Sequence, residues 1–118
     1  MTVSREAMAE AFSSHHFADA YPHLAQDVRW ILVGGPTITG RQAVIDTCEE
    51  TLRELAQTAT QFINFRAIVG ADSVVVDAIG KYDSPDESTS TVASCDIFDF
   101  VDDSITAITS YTVELPAG

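Results

Sequence analysis

The sequence is short of positive charge. It contains 6 Lys and Arg against 18 Asp and Glu, for a formal net charge of -12. Affinity for phosphate requires clustered cations, and the basic residues here are scattered along the chain. We therefore expect neither nucleic acid nor a membrane surface as a partner.

Long apolar runs are also missing. The longest cover residues 30–33 and 74–76, whereas a membrane-spanning helix needs about 18 apolar residues. The N-terminal segment carries Glu6 and Glu10 and lacks the apolar stretch of a signal peptide. We expect a cytoplasmic protein.

Metal and cofactor motifs are absent as well. Cys48 and Cys95 match no zinc spacing, and the 3 histidines show neither HxH nor HExxH. Residues 35–42 have the spacing of a phosphate-binding loop, but Arg41 and Gln42 stand where lysine and a hydroxyl are required. We therefore expect no metal and no cofactor, and we interpret the two cysteines as buried, unreactive thiols.

The chain has the length of one folded unit and the matching proportions of hydrophobic and charged residues. It has 118 residues, of which 46% are hydrophobic and 20% charged. Both values are typical of a single globular domain. We predict one domain over residues 1–118.

The periodicity is helical in the first half of the chain. Ser4 is a plausible N-cap for a helix from Arg5 to about His16, and a second, interrupted helix is predicted over Phe17–Leu24. Val28–Val33 is predicted as a strand. The third helix is predicted to start in Thr39–Gln42, which has the spacing of a capping box.

Four β-rich segments follow, over Gln61–Val69, Val74–Tyr82, Ser88–Val101 and Ile105–Leu115. The turns between them are short, which favours antiparallel pairing. We predict an α+β fold, with three N-terminal helices on the concave side of a cone-shaped, mixed and mostly antiparallel sheet. Such a fold has an interior, and concave interiors are where small-molecule sites usually lie.

One acidic residue breaks the pattern of the third long strand. Because side chains alternate across a strand, Asp96 shares a face with Val92, Phe98 and Phe100. Burial among such neighbours would raise the pKa of its carboxyl and suit it to general acid–base catalysis. The alternatives are a purely structural carboxyl that bonds to a neighbouring hydroxyl or water, or a sheet whose other face is the inner one.

Two further residues are candidate catalytic groups. His15 lies on the apolar stripe of the first helix, and Tyr82 shares a strand face with Val74 and Val76. The simpler interpretation of each is a packed side chain whose polar atom is satisfied locally. If side chains alternate strictly along the last predicted strand, Tyr111 lies on the same face as Ile105 and lines the pocket. The predicted lining of the hydrophobic pocket is Met8, Phe12, Trp30, Leu32, Val92, Phe98 and Tyr111.

The order of elements, together with residues 30–41 and Val92–Phe100, resembles the nuclear transport factor 2-like superfamily. The resemblance covers nearly the whole chain and is strongest to the SnoaL-like and ketosteroid isomerase-like branch. It implies that Asp96 matches the aspartic acid that stays protonated in the isomerase oxyanion hole. In the polyketide cyclases of this branch, the same position implies an acid–base residue.

Other catalytic positions of the isomerases are not matched. The resemblance places their general base at about Ile31 or Leu32 and their oxyanion-hole tyrosine at about Met8, with Phe12 one turn later. None of these side chains carries a carboxyl or hydroxyl group. Steroid isomerisation is therefore not expected.

Two functional hypotheses remain. In the first, Asp96 acts as general acid–base or hydrogen-bond donor on a small apolar carbonyl or enol substrate, helped by Tyr82 or His15. In the second, the protein is a non-catalytic ligand-binding or dimerisation module. A homodimer would then form through the outer sheet face, where Cys95 and Ile97 lie.

Overall fold

The computed structural model describes residues 3–86 and 88–116. Helix α1 spans Arg5–Ser13 and helix α2 spans Arg41–Glu54. Two short 3-10 turns, Phe17–Asp19 and Tyr21–His23, take the place of the predicted second helix. The second of these begins at Tyr21–Pro22, where proline is tolerated because the first residues of a helix have no intrahelical acceptor for their N–H groups.

Within those residues the strands form one 6-stranded sheet in the order β2-β1-β6-β5-β4-β3. Strands β1 and β6 are parallel, and the other neighbouring pairs are antiparallel. The predicted α+β class is confirmed, and β2 is the strand that the sequence analysis missed. The strands are β1 (Leu24–Leu32), β2 (Thr37–Thr39), β3 (Ala59–Val69), β4 (Ser73–Asp83), β5 (Thr89–Val101) and β6 (Ser104–Leu115).

The two long helices start differently. The Oγ atom of Ser4 accepts a hydrogen bond from the Ala7 amide at 3.0 Å, so the predicted cap of α1 is confirmed. The capping box predicted for α2 is wrong. Thr39 is held in β2 by its pairing with Arg29, and the N-cap is Gly40 with φ 98° and no side-chain bond. Glycine adopts this positive φ readily, which lets the chain pass directly from β2 into α2.

The apolar core lies between the helices and the inner face of the sheet. Helix α1 packs across β3, β4 and β5, whereas α2 packs against β1 and β2. Phe98 and Phe100 are 0% and 4% exposed, so the prediction that their face of β5 is the covered one is confirmed. Each large apolar side chain buried in this way contributes about 1.5–3 kcal/mol to stability.

A β-bulge interrupts the alternation of side chains in β6. In β6, Phe100 pairs with Ile105 but Asp99 pairs with Ala107, so Thr106 is an extra residue. This β-bulge reverses the faces of every residue after it. Ile105 and Ile108 are consequently both buried on the inner side.

A second bulge at Ile63 resolves an ambiguity in β3. Alternation along this strand does not by itself decide whether Phe62 and Ile68 or Ile63 and Phe65 face inward. Because of the bulge, Phe62 and Phe65 are both half-buried, with ring centroids 5.3 Å apart. Ile63 and Ile68 are 61% and 51% exposed.

No helix within residues 3–86 and 88–116 combines the length and apolar character needed to cross a membrane.

Candidate functional site

A cavity of about 290 Å³ lies on the inner face of the sheet, beyond the C-terminal end of α1. Its walls are mainly apolar and aromatic, and include Phe12, Phe17, Trp30 and Phe62. A more open cleft of about 390 Å³ adjoins it and shares His15 and Phe62 with it. The cavity and the cleft therefore meet at these two side chains.

Asp96 places a carboxyl group on the cavity wall. Its Oδ2 accepts a hydrogen bond from Ser13 Oγ at 2.8 Å, and Ser110 lies directly opposite Asp96 on the neighbouring strand β6. Burial raises the pKa of the Asp96 carboxyl, and the hydroxyls of Ser110 and Ser13 and the nearby His15 partly oppose this shift. Desolvation is the largest of these effects, so the carboxyl holds its proton to higher pH than a solvated aspartate.

His15 reaches the same cavity because α1 ends before it. The helix stops at Ser13 and not at His16, and His15 has φ 69°. The His16 amide donates to Ala11 O at 2.8 Å and the His15 amide to Phe12 O at 3.2 Å. These two bonds form a Schellman motif, in which the left-handed position is usually glycine.

The imidazole of His15 lies among aromatic rings. Its centroid is 5.6 Å from Phe17, 5.7 Å from Phe62 and 6.0 Å from Tyr82. Burial lowers the pKa of His15, and the Asp96 charge partly restores it. The imidazole is therefore easier to deprotonate than a solvated histidine.

Tyr82 completes the group of titratable side chains on the cavity wall. Its ring folds back over Gly80, where a Cβ atom would lie only 3.1 Å from the ring and the hydroxyl. Glycine at position 80 is what leaves room for this orientation. Burial and the Asp96 charge raise the pKa of Tyr82, so its hydroxyl stays protonated.

The structure brings all three predicted catalytic candidates to this one cavity. Four of the predicted lining residues also border it, namely Phe12, Trp30, Leu32 and Val92.

Three predicted lining positions are corrected. Met8 and Phe98, 1% and 0% exposed, belong to the solid core beside the cavity. Tyr111 is 47% exposed and pairs with Cys95 on the outer face of the sheet. The reason is the bulge at Thr106, which moves Tyr111 to the opposite face from the one that alternation predicts.

Sequence reasoning missed the two serines that lie beside the Asp96 carboxyl. Ser110 is 6% exposed and faces inward because of the same bulge, which no turn residue or glycine announces. Ser13 was detectable, because it follows the buried Ala9 by four residues and shares its helical face.

Across the residues that the structure describes, no group of three or more His, Cys, Asp or Glu side chains is placed to hold a metal ion.

Comparison with known proteins agrees with the fold described above. Residues 5–108 match the SnoaL-like domain family. A protein of unknown function with the NTF2-like fold, from Cytophaga hutchinsonii, is 27% identical with a TM-score of 0.80, over 93% of this chain and 100% of that one. An NTF2-like protein from Burkholderia xenovorans is 14% identical with a TM-score of 0.74, over 96% of this chain and 92% of that one.

A third solved structure, provisionally named a SnoaL-like polyketide cyclase, comes from Jannaschia sp. CCS1. It is 14% identical with a TM-score of 0.70, over 95% of this chain and 90% of that one. No curated protein matches the sequence significantly. The family match spans most of the chain, and the chain therefore belongs to the SnoaL-like domain family and has the NTF2-like fold.

Proposed function

We propose that the cavity binds a small, mainly apolar carbonyl or enol compound and that Asp96 acts on it as general acid–base. The observation that carries this proposal is a carboxyl group on an aromatic-lined wall, hydrogen-bonded to Ser13 and directly opposite Ser110 in the sheet. Apolar pockets with a few convergent polar groups and perturbed pKa values are the usual form of small-molecule sites.

The electrostatics favour proton transfer. Burial raises the pKa of Asp96 from 3.8 and lowers that of His15 from 6.5, so the two values approach each other. Groups whose pKa lies nearer the working pH are the more effective acids and bases. Tyr82 keeps its proton and is available as a neutral hydrogen-bond donor.

These roles support a reversible proton transfer. The Asp96 carboxylate takes a proton from the carbon next to the substrate carbonyl, and the carbonyl oxygen becomes an enolate oxygen. Tyr82 or His15 donates a hydrogen bond to that oxygen. The proton then returns from Asp96 to carbon, so no further reactant is consumed.

Size and charge narrow the ligand class. A volume of about 290 Å³ is at the small end of the usual range of about 300–1,000 Å³. The carboxyl on the wall and the net charge of -12 both disfavour anions. An uncharged compound no larger than a fused two-ring ketone fits these limits.

Exchange of ketone protons with solvent tests the proposal. The probe is 2-tetralone in D2O, with deuterium incorporation at the carbons next to the carbonyl followed by NMR. We expect Asp96→Asn to lower the protein-catalysed exchange rate by about 100-fold or more, the usual contribution of a general acid–base. Asp99→Asn is the matched control, because Asp99 lies on the same strand but pairs with Ser73 on the outer side.

The result also separates the two functional hypotheses. Full exchange in Asp96→Asn contradicts the catalytic role. Binding of 2-tetralone without exchange in the unaltered protein favours the non-catalytic module.

The outer sheet face supports a homodimer as a further proposal. Ile63, Ile68, Tyr111 and Val113 are between 47% and 61% exposed there. A second copy would cover this apolar patch through a two-fold interface. Cys95, a half-buried free thiol, lies beside Tyr111 in the same face.

Measuring the mass in solution tests the dimer. We expect a dimer by light scattering at micromolar concentration and a monomer for Val113→Asp. Val33→Asp, at a valine that is 49% exposed outside the sheet, is the matched control. A monomeric unaltered protein contradicts the proposal.

Two finer expectations stay predictions. The cytoplasm is the expected location, and the free Cys48 and Cys95 thiols are compatible with it. A single domain over residues 1–118 is likewise still a prediction.

A further inference from the structure

Three polar side chains from neighbouring strands form a chain at the cavity wall. Trp30 Nε1 donates to Ser110 Oγ at 2.9 Å, and Ser110 lies directly opposite Asp96 in the sheet, with both side chains on the cavity wall. Trp30 is 9% exposed and Ser110 is 6% exposed, so water competes little for either group. The chain therefore runs from β1 through β6 to β5.

The register of the sheet fixes this arrangement. Asp96 pairs directly with Ser110 across β5 and β6, and Trp30 pairs with Ile108 across β1 and β6. Backbone hydrogen bonds on both sides of β6 thus set the spacing of the three side chains. The chain depends on the strands and not on a mobile loop.

The chemistry of a hydroxyl gives the chain a direction. An indole N–H only donates, so it occupies a lone pair of Ser110 Oγ. The Ser110 proton is then available for the Asp96 carboxyl, and donation from the indole polarises the Ser110 hydroxyl. Without the indole this polarisation is lost, and the Ser110 hydroxyl becomes a weaker donor to the ionised carboxyl.

We infer that Trp30 is a positioning residue for Asp96, because its indole holds the Ser110 hydroxyl as a donor to the carboxyl. The consequence is that the chain favours the ionised carboxyl, in opposition to burial. Asp96 is then held as the base in the proton transfer. This inference rests on the proposed function for its catalytic meaning, but the chain can be tested without any substrate.

Other groups around Asp96 must be separated from this effect. His15 faces it from the end of α1, and Tyr82 is close enough from β4 for its pKa to be raised by the Asp96 charge. Cys95 is its neighbour on β5 and is also affected by that charge. A change caused by Trp30 must therefore be read on the Asp96 carboxyl itself.

The experiment is an NMR titration of the Asp96 carboxyl carbon together with the indole N–H. The protein has 1 tryptophan, so its indole N–H gives a single resonance. In the unaltered protein we expect both signals to change with the same midpoint. In Trp30→Phe we expect the Asp96 midpoint to rise by about 0.5 to 1 pH unit, the size of a modest hydrogen-bond contribution.

Phe17→Leu is the matched control for packing. Phe17 and Trp30 both line the cavity and both contact Phe12. The ring centroid of Phe12 is 4.9 Å from that of Phe17 and 5.1 Å from that of Trp30, but the Phe17 side chain has no polar atom. We expect it to leave the Asp96 midpoint unchanged. In Asp96→Asn, the indole signal should lose its titration while His15 still titrates.

Several results would overturn the inference. One is an indole signal that stays flat through the Asp96 transition. Others are an unchanged Asp96 midpoint in Trp30→Phe, or an equal rise in Phe17→Leu. If Trp30→Phe does not fold, Ser110→Ala tests the same chain, because it must raise the midpoint and uncouple the indole signal. Full ketone exchange in Asp96→Asn would end the proposed function and leave these titration results intact.

Discussion

The inner face of the sheet has two halves that differ in chemistry. In one row across β4, β5 and β6, Val74, Phe98 and Ile108 pair with one another and are all 0% exposed. Four residues further along β4, the row consists of Ala78, Ser94 and Thr112, of which the last two line the cavity. Packed core and cavity wall thus belong to the same three strands.

The change between the halves occurs in the row that contains Asp96. There Asp96 pairs with Val76 on one side and Ser110 on the other. The side chains of the next row are smaller, and α1 ends above the Asp96 row at Ser13. The cavity therefore arises because the sheet offers less volume where the helix stops filling it.

The largest expected effect compares the two halves directly. Phe98→Ala empties the packed half and should lower the free energy of unfolding by about 3–5 kcal/mol. Val92→Ala, on the half-buried cavity wall, should cost about 1 kcal/mol or less, because space and solvent are already nearby. Urea unfolding measures both, and equal losses would show that the two halves do not differ in packing.

The pH dependence of stability tests the row that contains Asp96, where the packed half and the cavity half meet. The pKa of Asp96 is raised above its ordinary 3.8, so this group's contribution to stability falls as pH rises from about 3.8 through the folded-state value. The pKa of His15 is lowered below 6.5, so its contribution falls as pH drops from about 6.5 through the folded-state value.

Asp96→Asn removes the pH-dependent contribution of Asp96 to stability and keeps that of His15. Relative to the unaltered protein, the variant should therefore gain stability as pH rises from 4 to 7. Urea unfolding across that range is the measurement. Parallel curves for the two proteins would mean that Asp96 is not desolvated.

A smaller effect is expected at the strained turn before the cavity. His15→Gly relieves a left-handed residue at the end of α1 and should stabilise the protein by about 1 kcal/mol. The same change removes the imidazole and should lower 2-tetralone exchange. Asp102→Gly, at φ 52° outside the cavity, should stabilise comparably with exchange unchanged. Loss of stability in His15→Gly would show that packing of the ring outweighs the strain.

The smallest expected effect concerns the room that Gly80 leaves for Tyr82. In Gly80→Ala, better strand propensity offsets the displacement of the tyrosine ring, so stability should change by less than about 0.5 kcal/mol. Displacement of the hydroxyl should still weaken 2-tetralone binding, measured by calorimetry. Unchanged affinity would remove Tyr82 from the site.

The sequence predicted those features that depend on regular periodicity. The alternation in β5 identified the inner face and Asp96, because that strand has no bulge before Phe98. It failed at Tyr111 and Ser110, since one extra residue at Thr106 reverses the faces and carries no distinctive side chain. The end of α1 before His15 was missed for a different reason, because a left-handed residue at a helix end is normally signalled by glycine.

The central claim is that the Asp96 carboxyl is held away from bulk water on the wall of an apolar cavity. The most direct test is to measure its pKa by NMR of the carboxyl carbon in the unaltered protein. The account predicts a midpoint clearly above the ordinary 3.8. A midpoint at or below 3.8 would contradict it, because only a solvated or strongly charge-stabilised carboxyl titrates there.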